Sequence, residues 1–195
     1  MENHTNITRK EQAEETRNRI YTSAIELMEQ RGFGNFTIAD ISKKAGVSVG
    51  AFYQYFDSKN DILAEIFYRA DDYFSTHVVN SFSKRCIPEQ IIEYFDHYAK
   101  FNVASGVETT QQIFNPKIKF FIEDGRPMLE ILEDLIRKGQ EKNEIRGDID
   151  AKELVEYLLS MARGIVFEWS LYEGDYDLEA RMHKFMEILV STIKV

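Results

Sequence analysis

Cysteine is all but missing: Cys86 stands alone in 195 residues, so no internal disulfide can form. A single thiol of this kind reads as a packed or idle group, since a redox sensor needs a depressed pKa and a partner. Proline is scarce too. There are three, none before Pro88, so nothing breaks helices in the N-terminal part, while Pro88 and Pro127 suit first helical turns and Pro116 suits a break. No apolar run nears the roughly 20 residues of a membrane span, and the polar start MENHTNITRKEQ has no signal-peptide core. The expectation is a cytoplasmic protein with no membrane partner. Catalytic signatures are missing as well: there is no Walker-type loop, GxGxxG, GxSxG, HExxH or paired-cysteine motif. His77 and His97 lack metal-ligand spacing, and lone carboxylates such as Glu93 or Glu168 are ordinarily solvated. The sequence therefore predicts no enzyme, no cofactor and no metal. Internal repeats and low-complexity segments are absent.

What the chain does have is helical periodicity and one dense local pattern, TIADISKKAGVSVGAFYQYFDSKNDIL, from Thr37 to Leu63. Thr37 with Asp40 reads as a capping pair, and Ile38, Ala39, Ile41 and Ala45 give the next turns an apolar side with Lys43 and Lys44 outside. Gly46 reads as the stop, because glycine adopts the left-handed cap without a Cβ clash. The chain then reverses through Val47 and Ser48 and restarts as a second helix from about Val49 to Tyr55. Small Val49, Gly50 and Ala51 leave backbone close to whatever that helix meets, Tyr53, Gln54 and Tyr55 offer hydrogen-bonding tips, and Phe52 and Phe56 point inward. This is the order of a helix-turn-helix whose second helix enters the DNA major groove. A small helical subdomain with surface tyrosines is the other reading of the spacing.

These residues resemble the signature of the tetracycline-repressor (TetR) family of bacterial transcriptional regulators. The matching positions are Thr37, Ala45-Gly46-Val47-Ser48, Ala51, Phe52-Tyr53, Tyr55-Phe56 and Ser58-Lys59, with Tyr55 standing where a histidine is common. The resemblance is specific over about residues 11 to 70 and rests on size and helical character beyond them. It implies an all-α protein with an N-terminal three-helix DNA-binding domain over residues 1–60 and a C-terminal helical effector-binding and dimerisation domain over residues 61–195. Thr37, Ser48, Tyr53, Tyr55 and Lys59 would grip phosphates, Lys43 and Lys44 would neutralise them, and Val49, Gly50, Ala51 and Gln54 would face base edges. Arg9, Lys10, Arg17 and Arg19 are further basic candidates.

A formal charge of −9 argues against a DNA partner only until it is divided. Residues 1–60 carry eight Lys+Arg and eight Asp+Glu, which leaves 16 and 25 of the chain's 24 and 33 for residues 61–195. The whole acid excess thus lies outside the reader, where screening over about 10 Å limits its reach.

The remainder reads as helices. Glu11 to Arg31 is amphipathic, and Ser58 with Asp61 opens a long helix through about Ser83. Further helices are expected near 88 to 105, 108 to 123 and 127 to 143, then one capped by Asp150 with Glu153, and a last one starting at Asp177. The wide apolar faces of the final two helices suit a four-helix bundle with a second copy, giving a homodimer, or closure of the monomer's own core. Aromatic and sulfur side chains crowd the middle of the body. Phe95, Tyr98, Phe101, Phe114, Phe121, Tyr157, Met161 and Trp169 are the ligand-lining candidates, with Phe120, Met128 and Phe167 beside them, although residue by residue each also suits a core. The acidic body slightly favours a cationic over an anionic effector. The expected protein is a ligand-responsive repressor that binds a palindromic DNA operator as a homodimer and is released by a small apolar effector shifting the Ser58–Ser83 helix. An uncharacterised enzyme or a helical protein-interaction adaptor are the alternatives.

Overall fold

The computed structural model describes residues 8–82, 86–114 and 125–195. These residues are helices and connections, with one isolated antiparallel bridge, Ile145 to Lys194. The chain divides into two compact units, Met1–Glu65 and Ile66–Val195.

In the first unit, α1 (Arg9–Arg31) starts at a reciprocal cap. Thr8 Oγ1 accepts the Glu11 N–H and the Glu11 carboxylate accepts the Thr8 N–H. Its buried side, Ile20, Ala24, Leu27 and Met28, packs on α2 (Ile38–Ala45), with a 3₁₀ turn Phe33–Asn35 between them. Thr37 and Asp40 cap α2 reciprocally, and Gly46 ends it at φ 68, ψ 35, the left-handed conformation expected of it. The following α3 (Val49–Phe52) is shorter than the stretch to Tyr55 that the sequence suggests. The reason lies in the winding: the Gln54 and Tyr55 N–H groups bond three residues back, to Ala51 and Phe52, and the tighter turn lets Phe52 and Phe56 both bury, with ring centroids 5.8 Å apart.

The next helix, α4 (Asp61–Tyr73), contributes residues 61–65 to the first unit and 66–73 to the second. Asp61 accepts the Asp57 and Ser58 N–H groups and the Ser58 hydroxyl, so the chain enters α4 on the Ser58/Asp61 pair that the sequence marks. Instead of one regular helix running on to Ser83, α4 passes into a π-helical stretch, Phe74–Val78, and a short α5 (Val79–Ser81). Hydroxyls explain the change. Ser75 Oγ donates to the Asp71 carbonyl and Thr76 Oγ1 to the Asp72 carbonyl, which competes with the i→i−4 ladder at that point.

In the second unit, α6 (Ile87–Ser105) packs along α10 (Leu178–Ile193) and α8 (Pro127–Glu141), while α7 (Val107–Ile113) packs on α9 (Ala151–Leu171). Pro88 and Pro127 sit in first turns, as expected. Cys86 supplies no side-chain cap to α6; the Ile87 N–H is met by Glu144, 57 residues away, at 2.6 Å. Gly139 lets α8 approach closely, because an added Cβ would meet Ile145 Cγ1 at 2.6 Å and Ile87 Cγ2 at 2.9 Å. Asp150 caps α9 by accepting the Lys152 N–H, whereas Glu153 accepts the Tyr157 hydroxyl in place of completing a capping box. The helix expected over 108–123 ends at Ile113, where Phe114 caps it outside helical geometry, and the expectations for Pro116, Phe120 and Phe121 lie outside the described residues.

Candidate nucleic-acid interface and effector cavity

The first unit presents the segment after Gly46 to solvent. Ser48 Oγ accepts the Ala51 N–H at 3.0 Å and so starts α3, leaving its own hydroxyl proton available. Val49 is 44% exposed and Tyr53 52%, Gly50 and Gln54 are exposed, and Ala51 and Tyr55 are half-buried. Space over Gly50 is open, since an added Cβ would meet only Ser48 Oγ, at 3.8 Å. The outer surface of α3 is thus small and smooth at its start, with polar tips at its end, on a base of buried Phe52.

Several of the cationic and hydroxyl candidates turn out to be engaged within the protein. Thr37 spends its N–H and hydroxyl on Asp40, whose carboxyl these bonds hold below the usual range. Lys59, expected on a phosphate, points its ammonium at the Phe33 and Phe36 carbonyls, 2.9 Å from the latter, and 4.4 Å from each of those two ring centroids. Burial lowers its pKa. It ties the 3₁₀ turn to the entrance of α4, so in this structure its ammonium is engaged within the protein. Lys44 pairs with Glu26 at 2.9 Å, and Arg17 pairs with the buried Glu65 at 2.6 Å while stacking on Phe56. Lys43 is exposed. Sequence pattern marks basic residues but cannot tell which of them the fold consumes.

The second unit contains a small cavity of about 30 Å³ lined by Ile66, Phe67 and Ala70 of α4, Tyr98, Phe101 and Asn102 of α6, Ile113 of α7, Arg126 and Met128 at the start of α8, and Leu159 and Arg163 of α9. Of the seven proposed ligand-lining residues that are described, it brings together Tyr98 and Phe101 only. Phe95 is fully buried core, and Phe114 packs against Phe167 with tilted rings, centroids 5.4 Å apart. Trp169 donates to the Tyr176 carbonyl and braces the α9–α10 connection. Tyr157 and Met161 are 54% and 43% exposed on the outside of α9, because the buried face of that helix runs through Leu154, Leu158, Ala162, Ile165 and Trp169 instead. Phe121 lies outside the described residues. The polar residues of the described lining, Arg126, Arg163 and Asn102, are ones that the sequence reading did not mark. Arg163 had a usable signal, a lone charge inside the apolar stretch MARGIVF.

Among the described residues no group of three or more His, Cys, Asp or Glu is placed to hold a metal, and no helix is long and apolar enough to cross a membrane.

Two capped helices around a left-handed glycine, with an exposed third turn, define a helix-turn-helix DNA-binding unit joined to a helical body. Residues 20–66 match the family model described as bacterial regulatory proteins, tetR family, and residues 97–192 match the C-terminal region of YsiA-like proteins. The chain belongs to the TetR family of bacterial transcriptional regulators. It is similar to the fatty acid metabolism regulator protein of Bacillus subtilis (strain 168), with 24% identity covering 89% of this chain and 93% of that one. It is also similar to the HTH-type transcriptional repressor BepR of Brucella suis biovar 1, with 24% identity over 95% of both chains. The structure of the regulator FadR from Bacillus subtilis in complex with stearoyl-CoA superposes with a TM-score of 0.75 at 23% identity, over 90% of this chain and 98% of that one, which shows a shared fold.

Proposed function

We propose that this chain is a repressor that binds a palindromic operator as a homodimer through a DNA-binding domain over residues 1–60, and is released by a small effector with a long apolar part held in an effector domain over residues 61–195. The observation that carries the reading is the exposed start of α3, where Val49, Gly50 and Ala51 leave room for base edges and Tyr53, Gln54 and Tyr55 supply polar tips. Ser48 donates its remaining hydroxyl proton to a phosphate, Lys43 neutralises another, and Thr37, Lys44 and Lys59 serve mainly by holding the motif in shape.

A second copy covers the outer side of α9 and α10. Tyr157, Met161, Phe167, Leu171, Phe185 and Ile188 are all exposed there, a concentration of apolar surface that a monomer rarely leaves to water. Pairing sets two readers about 34 Å apart, or a multiple, on successive turns of the groove. The effector class is supported by the fatty-acid regulators among the relatives and by the stearoyl-CoA complex of the similar fold. Selection of bound fragments from a genomic pool tests the reading. It is expected to enrich a short inverted repeat; fragments recovered without a common sequence would overturn it.

A further inference from the structure

The reader is unusual in having no charge. Between Gly46 and Asp57 the chain runs VSVGAFYQYF, without a single Lys, Arg, Asp or Glu. The commonest specific contact in the major groove is an Arg or Lys placed bidentately on guanine O6 and N7, and neither α3 nor the turn after it offers one. The cations that flank this stretch in sequence are Lys43, Lys44 and Lys59. Lys44 pairs with Glu26 at 2.9 Å, Lys59 donates to the Phe36 carbonyl at 2.9 Å, and Lys43 belongs to α2 and takes a phosphate in the reading above.

What α3 presents is methyl groups. At 3.6 residues per turn Gly50 stands nearly opposite the buried Phe52, with Val49 and Ala51 on its two sides. Val49 is 44% exposed and Ala51 half-buried, and the space over Gly50 is open. A bare strip of backbone is thus bordered by the methyls of Val49 and Ala51. After Phe52 the winding tightens, since the Gln54 N–H donates to the Ala51 carbonyl at 3.2 Å and the Tyr55 N–H to the Phe52 carbonyl at 3.0 Å. Side chains three apart eclipse in such winding, so the exposed Gln54 amide stands in line with the Ala51 methyl.

We propose that α3 reads thymine and adenine and makes no guanine contact: the Val49 and Ala51 methyls pack on thymine C5 methyls, and the Gln54 amide pairs with N6 and N7 of an adenine. The inference rests on the operator reading above and adds the bases that each half-site holds. Thymine carries a methyl in the major groove, whereas cytosine presents the N4 donor there and guanine two acceptors. Pressing those polar edges against Val49 and Ala51 strips them of water and returns no hydrogen bond; a thymine methyl loses only apolar surface to water and gains by it. Gly50 permits the approach, because no side chain of its own holds the backbone away from the base edges. Gln54 suits adenine, since its amide oxygen accepts from N6 while its amide nitrogen donates to N7. Three residues of tight winding advance roughly 6 Å against about 3.4 Å per base step, which sets the adenine of Gln54 about two steps from the thymine of Ala51.

The test uses the unmodified full chain and the inverted repeat that it selects from a genomic pool, with one base exchanged at a time in each half-site. Deoxyuridine for thymidine removes only the C5 methyl, and the 7-deaza forms of adenine and guanine remove only N7. At one or more thymines of each half-site, deoxyuridine is expected to weaken binding about fourfold, the size of one buried methyl. One 7-deazaadenine should cost about tenfold, and 7-deazaguanine should change nothing at any position. The deoxyuridine effect should shrink in Val49→Ala or Ala51→Gly, and the 7-deazaadenine effect should vanish in Gln54→Ala. Val49→Lys should shift the preferred base at its position to guanine. Full affinity for a repeat with deoxyuridine at every thymine, or a loss with 7-deazaguanine as large as that with 7-deazaadenine, would overturn the inference and leave the operator reading standing. Methyl effects unchanged in both Val49→Ala and Ala51→Gly would overturn it too. Selected fragments without a common sequence would overturn both readings.

Discussion

The two units build their sites by opposite means. In the first, the contacts that start the reader's helices span three or four residues: Thr37 with Asp40, Ser48 with Ala51, Asp57 and Ser58 with Asp61. In the second, the cavity draws on five separate helical regions, and its central ion pair, Arg126 with Asp71, joins residues 55 apart. A surface made from local caps keeps its shape whenever its short segments fold, and so can serve as a rigid reader. A cavity closed by a distant pair can open when the pair breaks, and so can serve as a sensor. Rigidity in one unit and bistability in the other are what a ligand-controlled DNA-binding protein needs.

The strongest way to break this division is to remove the proposed second copy. Placing glutamates at Phe185 and Ile188, 37% and 58% exposed, should leave each chain folded yet monomeric by light scattering. Operator affinity should then fall by roughly a hundredfold or more, because a single half-site offers too few contacts. Retained dimers at micromolar concentration would contradict the assembly. Next in size is Gly139→Ala, which drives a Cβ against Ile145 and Ile87. Overpacking of this kind costs about 1–3 kcal/mol, read as a lower denaturant midpoint for the second unit. The first unit should answer instead to Thr37→Ala, which removes a reciprocal cap at a cost of about 1 kcal/mol. A shift of the same unit by both variants would blur the proposed contrast.

Legibility in the sequence follows the same divide. Gly46, Thr37 with Asp40, and Ser58 with Asp61 were readable because caps and glycine stops act within one turn. The helices of the body were readable from periodicity, and Pro88 and Pro127 fell where first turns begin. The cavity was not. Tyr157 and Met161 share helical spacing with Leu154 and Leu158, and only packing decides that the first two face outward. Arg126 gives no local sign that Asp71 will bury it. The π-helical stretch hinged on Ser75 and Thr76 hydroxyls, which bond ordinary carbonyls in most helices.

Smaller effects refine the comparison. Gly50→Ala meets only open space, so it should leave thermal stability almost unchanged while lowering operator affinity, because the new methyl stands where a base edge is proposed to lie. Unchanged DNA binding would move the interface off this part of α3. His97 offers a pH probe of the second unit. Its ring nitrogens meet the Tyr73 hydroxyl at 2.7 Å and Ser81 Oγ at 3.0 Å, and burial, with Lys100 adding to it, lowers its pKa below the ordinary 6.5. The unfolded chain therefore takes up a proton first as pH falls. Stability is full above about pH 6.5 and declines below it until the folded pKa is reached. His97→Gln should flatten that part of the melting-temperature profile between pH 7.5 and 5.5; an unaltered slope would assign it to other groups.

The central claim is that ligand and DNA are read by different units and exclude one another. It is tested most directly by measuring the affinity of one effector, hexadecanoate or its CoA thioester, for the free protein and for the protein saturated with operator. Linkage requires the operator-bound form to bind the effector more weakly by the same factor as the effector weakens operator binding, about 5- to 150-fold for a useful switch. Equal effector affinity in the two states would mean that the cavity and the reader are not coupled, and the account would fail.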